Sequence, residues 1–399
     1  LRANYAQAEQ LAKNWLANPV NKATISKKQA SIITIPVVVH VVYKNAAQNI
    51  PDSQIVRQIT ILNQSFSKQN PNYSQTRAIF DTLGADTEIQ FCLAATDPLG
   101  APTTGIVRKS APSNAAFDPI LNNDKVKSSA TNGDDAWPHD KYLNIWVCDM
   151  SFFGTAFVLG YATFPGGPAN LDGVVIQSEY FGYGSAAAPN NLARTTVHEV
   201  GHWMGMRHIW ADDDGGSTGQ CDSTDFVDDT PNQGAKSQSD CNLAINSCSN
   251  EAAYWGVIDP PDMVENYMDY SADACMTLFT KGQKARMYSY LNTEPARMAI
   301  KTSPVGCSTV GVKELYAHFS DYVYIFPNPA HDKLQINITG VTPSNLSTEI
   351  YNQSGQLVKQ LKQLNFQNTI DLSELTNGIY VVKIFNAEVS LIKKVVITR

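Results

Sequence analysis

Thr34-Ile35-Pro36-Val37-Val38-Val39-His40-Val41-Val42 is an almost unbroken β-branched run. It predicts a strand buried on both faces. Ile55, Ile59, Ile61 and Leu62 then recur at helical spacing, with Asp52 or Ser53 in position to cap the helix start. Residues 88–93, 143–149 and 172–176 read as further strands. Residues 160–165 read as a short strand stopped by Pro165-Gly166-Gly167, chemistry that suits a sheet edge. Helices are predicted over 5–16, 191–206 and 283–292. Residues 209–262 have little periodicity of either kind. Strands mixed with long helices indicate an α+β or α/β domain.

Beyond residue 320 the pattern changes to short strands at 323–326, 333–338, 349–351, 357–360, 369–372, 379–385 and 389–398. They are separated by turn residues such as Pro327-Asn328-Pro329, Ser354-Gly355 and Asn377-Gly378. This predicts a small Ig-like β-sandwich. The chain therefore divides into a leader or pro-segment remnant (1–30), a main domain (31–307), a linker (308–320) and a C-terminal sandwich (321–399).

The 399 residues carry a formal charge of -7, spread along the chain, with no Lys/Arg cluster. Nucleic acid is not an expected partner. The longest apolar stretch, 32–43, is broken by Thr34, Pro36 and His40 and falls short of the roughly 20 residues of a spanning helix. The first residue is Leu1, and the expectation is that a signal peptide has been removed or omitted. Of the 7 cysteines, Cys221, Cys241, Cys248 and Cys275 fall in the loop-rich region, where disulfides are the usual substitute for a core in exported proteins. Their composition leaves three pairings open. Cys92 and Cys148 sit in apolar strands and are expected to be buried thiols. Cys307 lies at the start of the linker, its state open.

The chemistry concentrates in His198-Glu199-Val200-Gly201-His202-Trp203-Met204-Gly205-Met206-Arg207-His208. On a helix, His198 and His202 share one face a turn apart and can share a metal ion. Gly205 can end the helix, and the chain can then return His208 to the same ion. Three imidazoles leave the fourth tetrahedral position of Zn²⁺ open, the arrangement of a catalytic site. Glu199 is offset by about 100° around the helix. It can reach the water that zinc activates without ligating the ion, and so can act as general base. A purely structural zinc site would prefer four closed ligands and needs no such carboxylate.

With these residues in place the chain resembles the metzincin zinc peptidases. Asn266-Tyr267-Met268-Asp269-Tyr270 is similar to the Met-turn of that clan. The resemblance implies Met268 as an apolar floor under the metal and Tyr270 as a residue near it that stabilises the tetrahedral intermediate. Within the clan the chain is most similar to the pappalysin family, over roughly residues 31–300. The residues that carry this are 35–43, Phe91-Cys92-Leu93-Ala94, Asp97-Pro98, 198–210, Val227-Asp228-Asp229-Thr230-Pro231 and 266–279. The implied fold is a metzincin-type peptidase with an upper α/β subdomain and a lower irregular one around an active-site cleft. The resemblance also implies the disulfides Cys221–Cys248 and Cys241–Cys275. It further implies a Ca²⁺ ion, with Asp225, Asp228 and Thr230 as ligands from a loop whose clustered carboxylates suit such a cation.

Asp212-Asp213-Asp214 reads instead as a solvated stretch. A peptide substrate is expected to add to the edge strand that contains Gly160, Tyr161 and Ala162. Some family members favour Arg after the cut bond through an acidic residue just before the Cys that corresponds to Cys275. Here Ala274 stands there, a departure from the residue that preference needs, and Asp273 one step earlier either substitutes in part or faces solvent. Residues 1–30 lack the cysteine that keeps related zymogens latent. In the tail, residues 324–329, 377–384 and 393–397 resemble the C-terminal sorting domain of type IX secretion, which implies export across a bacterial outer membrane. The expected protein is a monomeric secreted or cell-surface zinc endopeptidase acting on proteins or peptides. A binding module on an inactivated scaffold would have lost Glu199 or a histidine.

Overall fold

The computed structural model describes residues 2–21, 32–182, 191–211, 221, 223–237, 241–248, 260–308, 320, 323–338, 346–365, 367–386 and 390–399. Two compact units emerge, Leu1–Thr309 and Val310–Arg399. The linker expected at 308–320 lies almost wholly outside the described residues, as do Asp212-Asp213-Asp214.

The first unit is built on six strands: β1 (Ile33–Tyr43), β2 (Ile89–Leu93), β3 (Ile106–Ser110), β4 (Leu143–Cys148), β5 (Gly160–Ala162) and β6 (Val174–Gln177). Their order is β2-β1-β4-β6-β5, with β3 beside the second half of β1. All pairings are parallel except that of β5, which runs antiparallel to β6 at the edge. Val37, Val38, Val39 and Val41 on β1 are fully buried, as a strand covered on both faces requires. His40 is a core residue: it stacks on Trp146 at 5.1 Å and bonds Asp134 and Asn144 through its two ring nitrogens.

Besides the one-turn helix Ala78–Asp81, the α-helices among the described residues are α1 (Arg2–Ala17), α2 (Asp52–Phe66), α3 (Arg194–Trp203), α4 (Lys281–Leu291) and α5 (Pro295–Ile300). The N-cap of α2 is Pro51, not Asp52 or Ser53. The Asp52 carboxylate pairs instead with Arg108 of β3. Gln58 of α2 accepts from Gly182 N and donates to Ala193 O, which ties α2 to the entry of α3. α1 lies folded on the unit, with Ala8 and Ala12 packed against Tyr290 of α4. Among the described residues, no helix is long and apolar enough to cross a membrane.

Three disulfides close this unit. Cys221 pairs with Cys248 and Cys241 with Cys275 across the irregular region. Cys92 is not the buried thiol expected of its strand; it pairs with Cys307, 215 residues away. Two backbone bonds beside it, Ser308 N to Leu93 O and Ala95 N to Gly306 O, hold the end of the unit against β2. Cys148 is free and buried against Val42, Trp146 and Val175.

The second unit holds an antiparallel four-stranded sheet, β10-β9-β12-β13, and a three-stranded sheet, β11-β8-β7. The strands are β7 (Val323–Phe326), β8 (Lys333–Ile338), β9 (Ser347–Tyr351), β10 (Leu357–Leu361), β11 (Gln367–Asp371), β12 (Gly378–Phe385) and β13 (Ser390–Ile397). Leu334, Ile336 and Ile338 of β8 and Tyr380, Val382 and Ile384 of β12 alternate into one core, the period-2 pattern of strands with one dry face.

Candidate metal centre and active site

α3 starts without a side-chain cap of its own: Ala193 stands at the N-cap with φ +61°. The amides of Leu192 and Arg194 donate instead to Asp273 Oδ2, at 2.8 and 3.1 Å. Arg194 reaches back to Ser65 of α2 at 2.6 Å. The helix ends at Gly205, whose φ of +88° suits glycine and whose missing Cβ leaves room for the Tyr290 ring, 2.1 Å from where that atom would be. Met206 N closes the turn on Gly201 O at 2.9 Å.

This turn brings the three histidines together. Their Nε2 atoms lie 3.0 Å (His198–His202), 3.1 Å (His202–His208) and 3.2 Å (His198–His208) apart. His198 Nδ1 faces Tyr267 O at 2.7 Å and His202 Nδ1 faces Met206 O at 2.9 Å. A carbonyl only accepts, so each Nδ1 carries the proton and each Nε2 presents a lone pair. Burial, with the neighbouring imidazoles, holds His202 well below the ordinary histidine value, in the neutral form a ligand needs. A tetrahedral Zn²⁺ with bonds of about 2.0–2.1 Å would set its nitrogens about 3.3 Å apart. The donor set therefore fits that ion, and lone pairs this close without a cation would repel. Among the described residues, this is the one group of His, Cys, Asp and Glu gathered tightly enough to hold a metal.

The surroundings brace the centre. Trp210 stacks on His208 at 4.1 Å, and the Tyr270 ring stands 5.4 Å from His198 and 4.9 Å from His208. Tyr270 is 40% exposed, so it faces the open side. Met268 is fully buried against α3: a Cβ on Gly201 would meet its sulfur at 2.5 Å. Asn266 Oδ1 accepts from Met268 N at 2.9 Å and is itself paired with Gln283, the capping-box residue of α4. Gly201 and Asn266 carry no signal in sequence beyond the motif around them; Gln283 carries the Thr280-x-x-Gln283 capping-box pattern, which sequence reasoning missed.

Glu199 faces a cavity of about 630 Å³ lined also by Leu159, Gly160, Thr195, His198, Tyr270 and Asp273. Burial pushes its carboxyl up to about 8. A Cβ on Gly160 would stand 2.7 Å from Glu199 Cγ, so the edge strand passes directly over Glu199. Among the described residues, β5 ends the strand order and pairs with β6 alone. Gly160 lines the cavity, whereas the Tyr161 ring packs inward against the cluster around Trp146 and Cys148.

Two other expected sites carry hydrogen bonds within the protein. Asp273 lines the cavity, but one of its oxygens is committed to the start of α3, so its first role is to cap that helix. Burial pushes its carboxyl up despite those bonds. Asp225 and Thr230 do come together, through Thr230 Oγ1 at 2.9 and 3.0 Å from the two carboxylate oxygens, and Val227 N adds a third bond at 3.0 Å. Asp228 is exposed and lies outside that set.

A family model described as pregnancy-associated plasma protein-A matches residues 126–292. An extracellular metalloprotease of Pyricularia oryzae is 32% identical over 280 residues, covering 68% of this chain and 80% of its own length. The chain belongs to the pappalysin family of metallopeptidases. Mature Tannerella forsythia mirolysin, solved with a cleaved peptide, has 44% identity and a TM-score of 0.60, over 69% of this chain and 97% of its own. Its precursor, promirolysin, has 40% identity and a TM-score of 0.61, over 75% of this chain and 95% of its own. A model described as a secretion system C-terminal sorting domain matches residues 324–398. This pappalysin is thus a metalloendopeptidase with a catalytic metal, protein substrates and a type IX sorting tail, exported to the cell surface or beyond.

Proposed function

We propose that His198, His202 and His208 bind one Zn²⁺ and that Glu199 is the general base for peptide-bond hydrolysis. The observation that carries this is the set of three Nε2 atoms, 3.0–3.2 Å apart, with the two buried Nδ1 protons directed at carbonyls. Zinc, when bound, supplies the Lewis acidity that polarises a carbonyl and makes a water acidic near neutral pH. The rest falls to the chain. Glu199, shut off from bulk water under Gly160, accepts a proton from the attacking water and returns it to the leaving amine. Its burial favours the protonated carboxyl, and the charge of a bound zinc would favour the carboxylate, so both forms would be within reach near neutral pH. Tyr270, on the open side, is placed to donate to the oxygen on which negative charge develops. The substrate backbone pairs with the free edge of β5 at Gly160 and Ala162, and Tyr161 holds that strand from below.

Glu199→Gln in the intact chain tests the assignment. One zinc per chain should remain, and casein cleavage should fall by about 10²–10⁴-fold. Cleavage at the wild-type rate would overturn it.

We further propose Ca²⁺ at the 225–230 loop. Support comes from Asp225, which burial pushes up to about 7, a carboxylate that a bound cation would relieve. The ligands would be Asp225, Asp228 and Thr230, some of them through backbone carbonyls. The chain would act as a monomer. Residues 321–399 would form the sorting domain.

A further inference from the structure

α1 was expected to belong to a leader or pro-segment remnant, and it reaches the back of the metal centre. Glu9 accepts from both terminal nitrogens of Arg286, at 2.9 and 2.7 Å, and from Tyr290 Oη at 2.8 Å. The same guanidinium donates its Nε proton to Gly205 O at 2.9 Å. Arg207 approaches Glu9 Oε2 at 3.8 Å. Gly205 and Arg207 flank Met206, whose carbonyl receives the His202 Nδ1 proton, and Arg207 is followed by His208. We propose that Glu9 is a positioning residue of the metal centre: through Arg286 and Arg207 it holds the 205–207 turn that orients His202 and delivers His208. This rests on the reading of those histidines as zinc ligands.

The electrostatics require such a partner. Arg286 is 1% exposed, and a buried guanidinium needs a hydrogen-bonded counter-ion. Glu9 is that counter-ion. Burial alone would raise its carboxyl, but the hydrogen bonds and charge of Arg286, aided by Tyr290 and Arg207, outweigh this and hold it below the ordinary value. The Phe226 ring adds a second contact around the same cations, with Lys13 of α1 at 3.6 Å, Arg207 at 5.1 Å and Arg286 at 5.4 Å. Arg297 grips the preceding turn in the same manner, from Trp203 O to the Asp172 carboxylate. The helix end is thus held by two buried Arg–carboxylate pairs, and one of the two carboxylates belongs to α1.

The test compares zinc release to an excess of chelator from full-length wild type, Glu9→Gln and Ile55→Val, a buried change in α2 that serves as a stability control. Glu9→Gln should release zinc about 10–100-fold faster than wild type, the usual effect of losing an outer partner of a metal ligand. Ile55→Val should release it at the wild-type rate. Release from Glu9→Gln at the wild-type rate, or equal acceleration in both variants, would overturn the role of Glu9 alone. A wild-type chain that takes up no zinc would sink the reading of the histidines, and this inference with it.

Discussion

The histidine centre and the 225–230 loop are both dense in ligand residues, and both were expected to bind metal. They differ in where each side chain's hydrogen bonds go. At the centre, backbone carbonyls take the Nδ1 protons of His198 and His202, so lone pairs are left facing one another with no donor between them. In the loop, the Thr230 hydroxyl and Val227 amide satisfy Asp225, and Asp229 accepts from Thr280 and Gly282. The first arrangement needs a cation; the second can close on itself without one. Ligand-type residues do not decide metal dependence. Whether the protein already satisfies them does.

Four experiments would break or sharpen this contrast. Removing one imidazole should be the most severe. His208→Ala should lose its zinc and, with a contribution worth several kcal/mol gone, lose activity on the order of 10³-fold or more. Metal analysis beside casein assays would check this; retained zinc would sink the three-ligand centre. Gly160→Ala separates base from metal. Its Cβ would displace Glu199, so kcat should fall by roughly 10²-fold while zinc content stays at wild-type level. An unchanged kcat would mean that the base has room to move.

Calcium removal should act on stability alone. Chelating Ca²⁺ with zinc replete should lower Tm on the order of 5 °C, and Asp225→Asn should abolish that shift. An identical shift in the variant would place the ion elsewhere. The smallest effect concerns Asp172, behind the metal helix. Burial would raise its carboxyl, but Arg297 and His139 more than offset this and hold it below the ordinary value. The unfolded chain therefore takes up this proton first as pH falls. The stabilisation from Asp172 is complete near neutral pH and is lost below about pH 4. The Tm gap between wild type and Asp172→Asn should narrow as pH drops from about 7 to about 3; a constant gap would contradict this.

Much of the site could be read from sequence because it is local. His198 and His202 sit one helical turn apart, Gly205 ends the turn, and His208 follows within six residues of His202. Most strands of both units were also readable, because alternation and β-branched runs report burial directly; β3, with three of its five residues polar or charged, was not. The role of Asp273 as a helix cap was not legible, because it depends on a residue 79 positions away. Cys92 was misjudged for the same reason, since a cysteine in a strand looks alike whether or not a partner waits 215 residues on.

The sequence by itself determined that a helix would present two imidazoles and a carboxylate, that a third imidazole would follow a glycine turn, and that a β-rich tail would succeed the catalytic unit. Covalent geometry and hydrophobic periodicity act over a few residues and leave a local record. Only the tertiary structure decided that Gly160 makes room for Glu199, that Gly201 makes room for Met268, and that Glu9 partners the arginine behind Gly205. Those contacts arise where distant segments pack, and packing depends on positions that no short window of sequence contains.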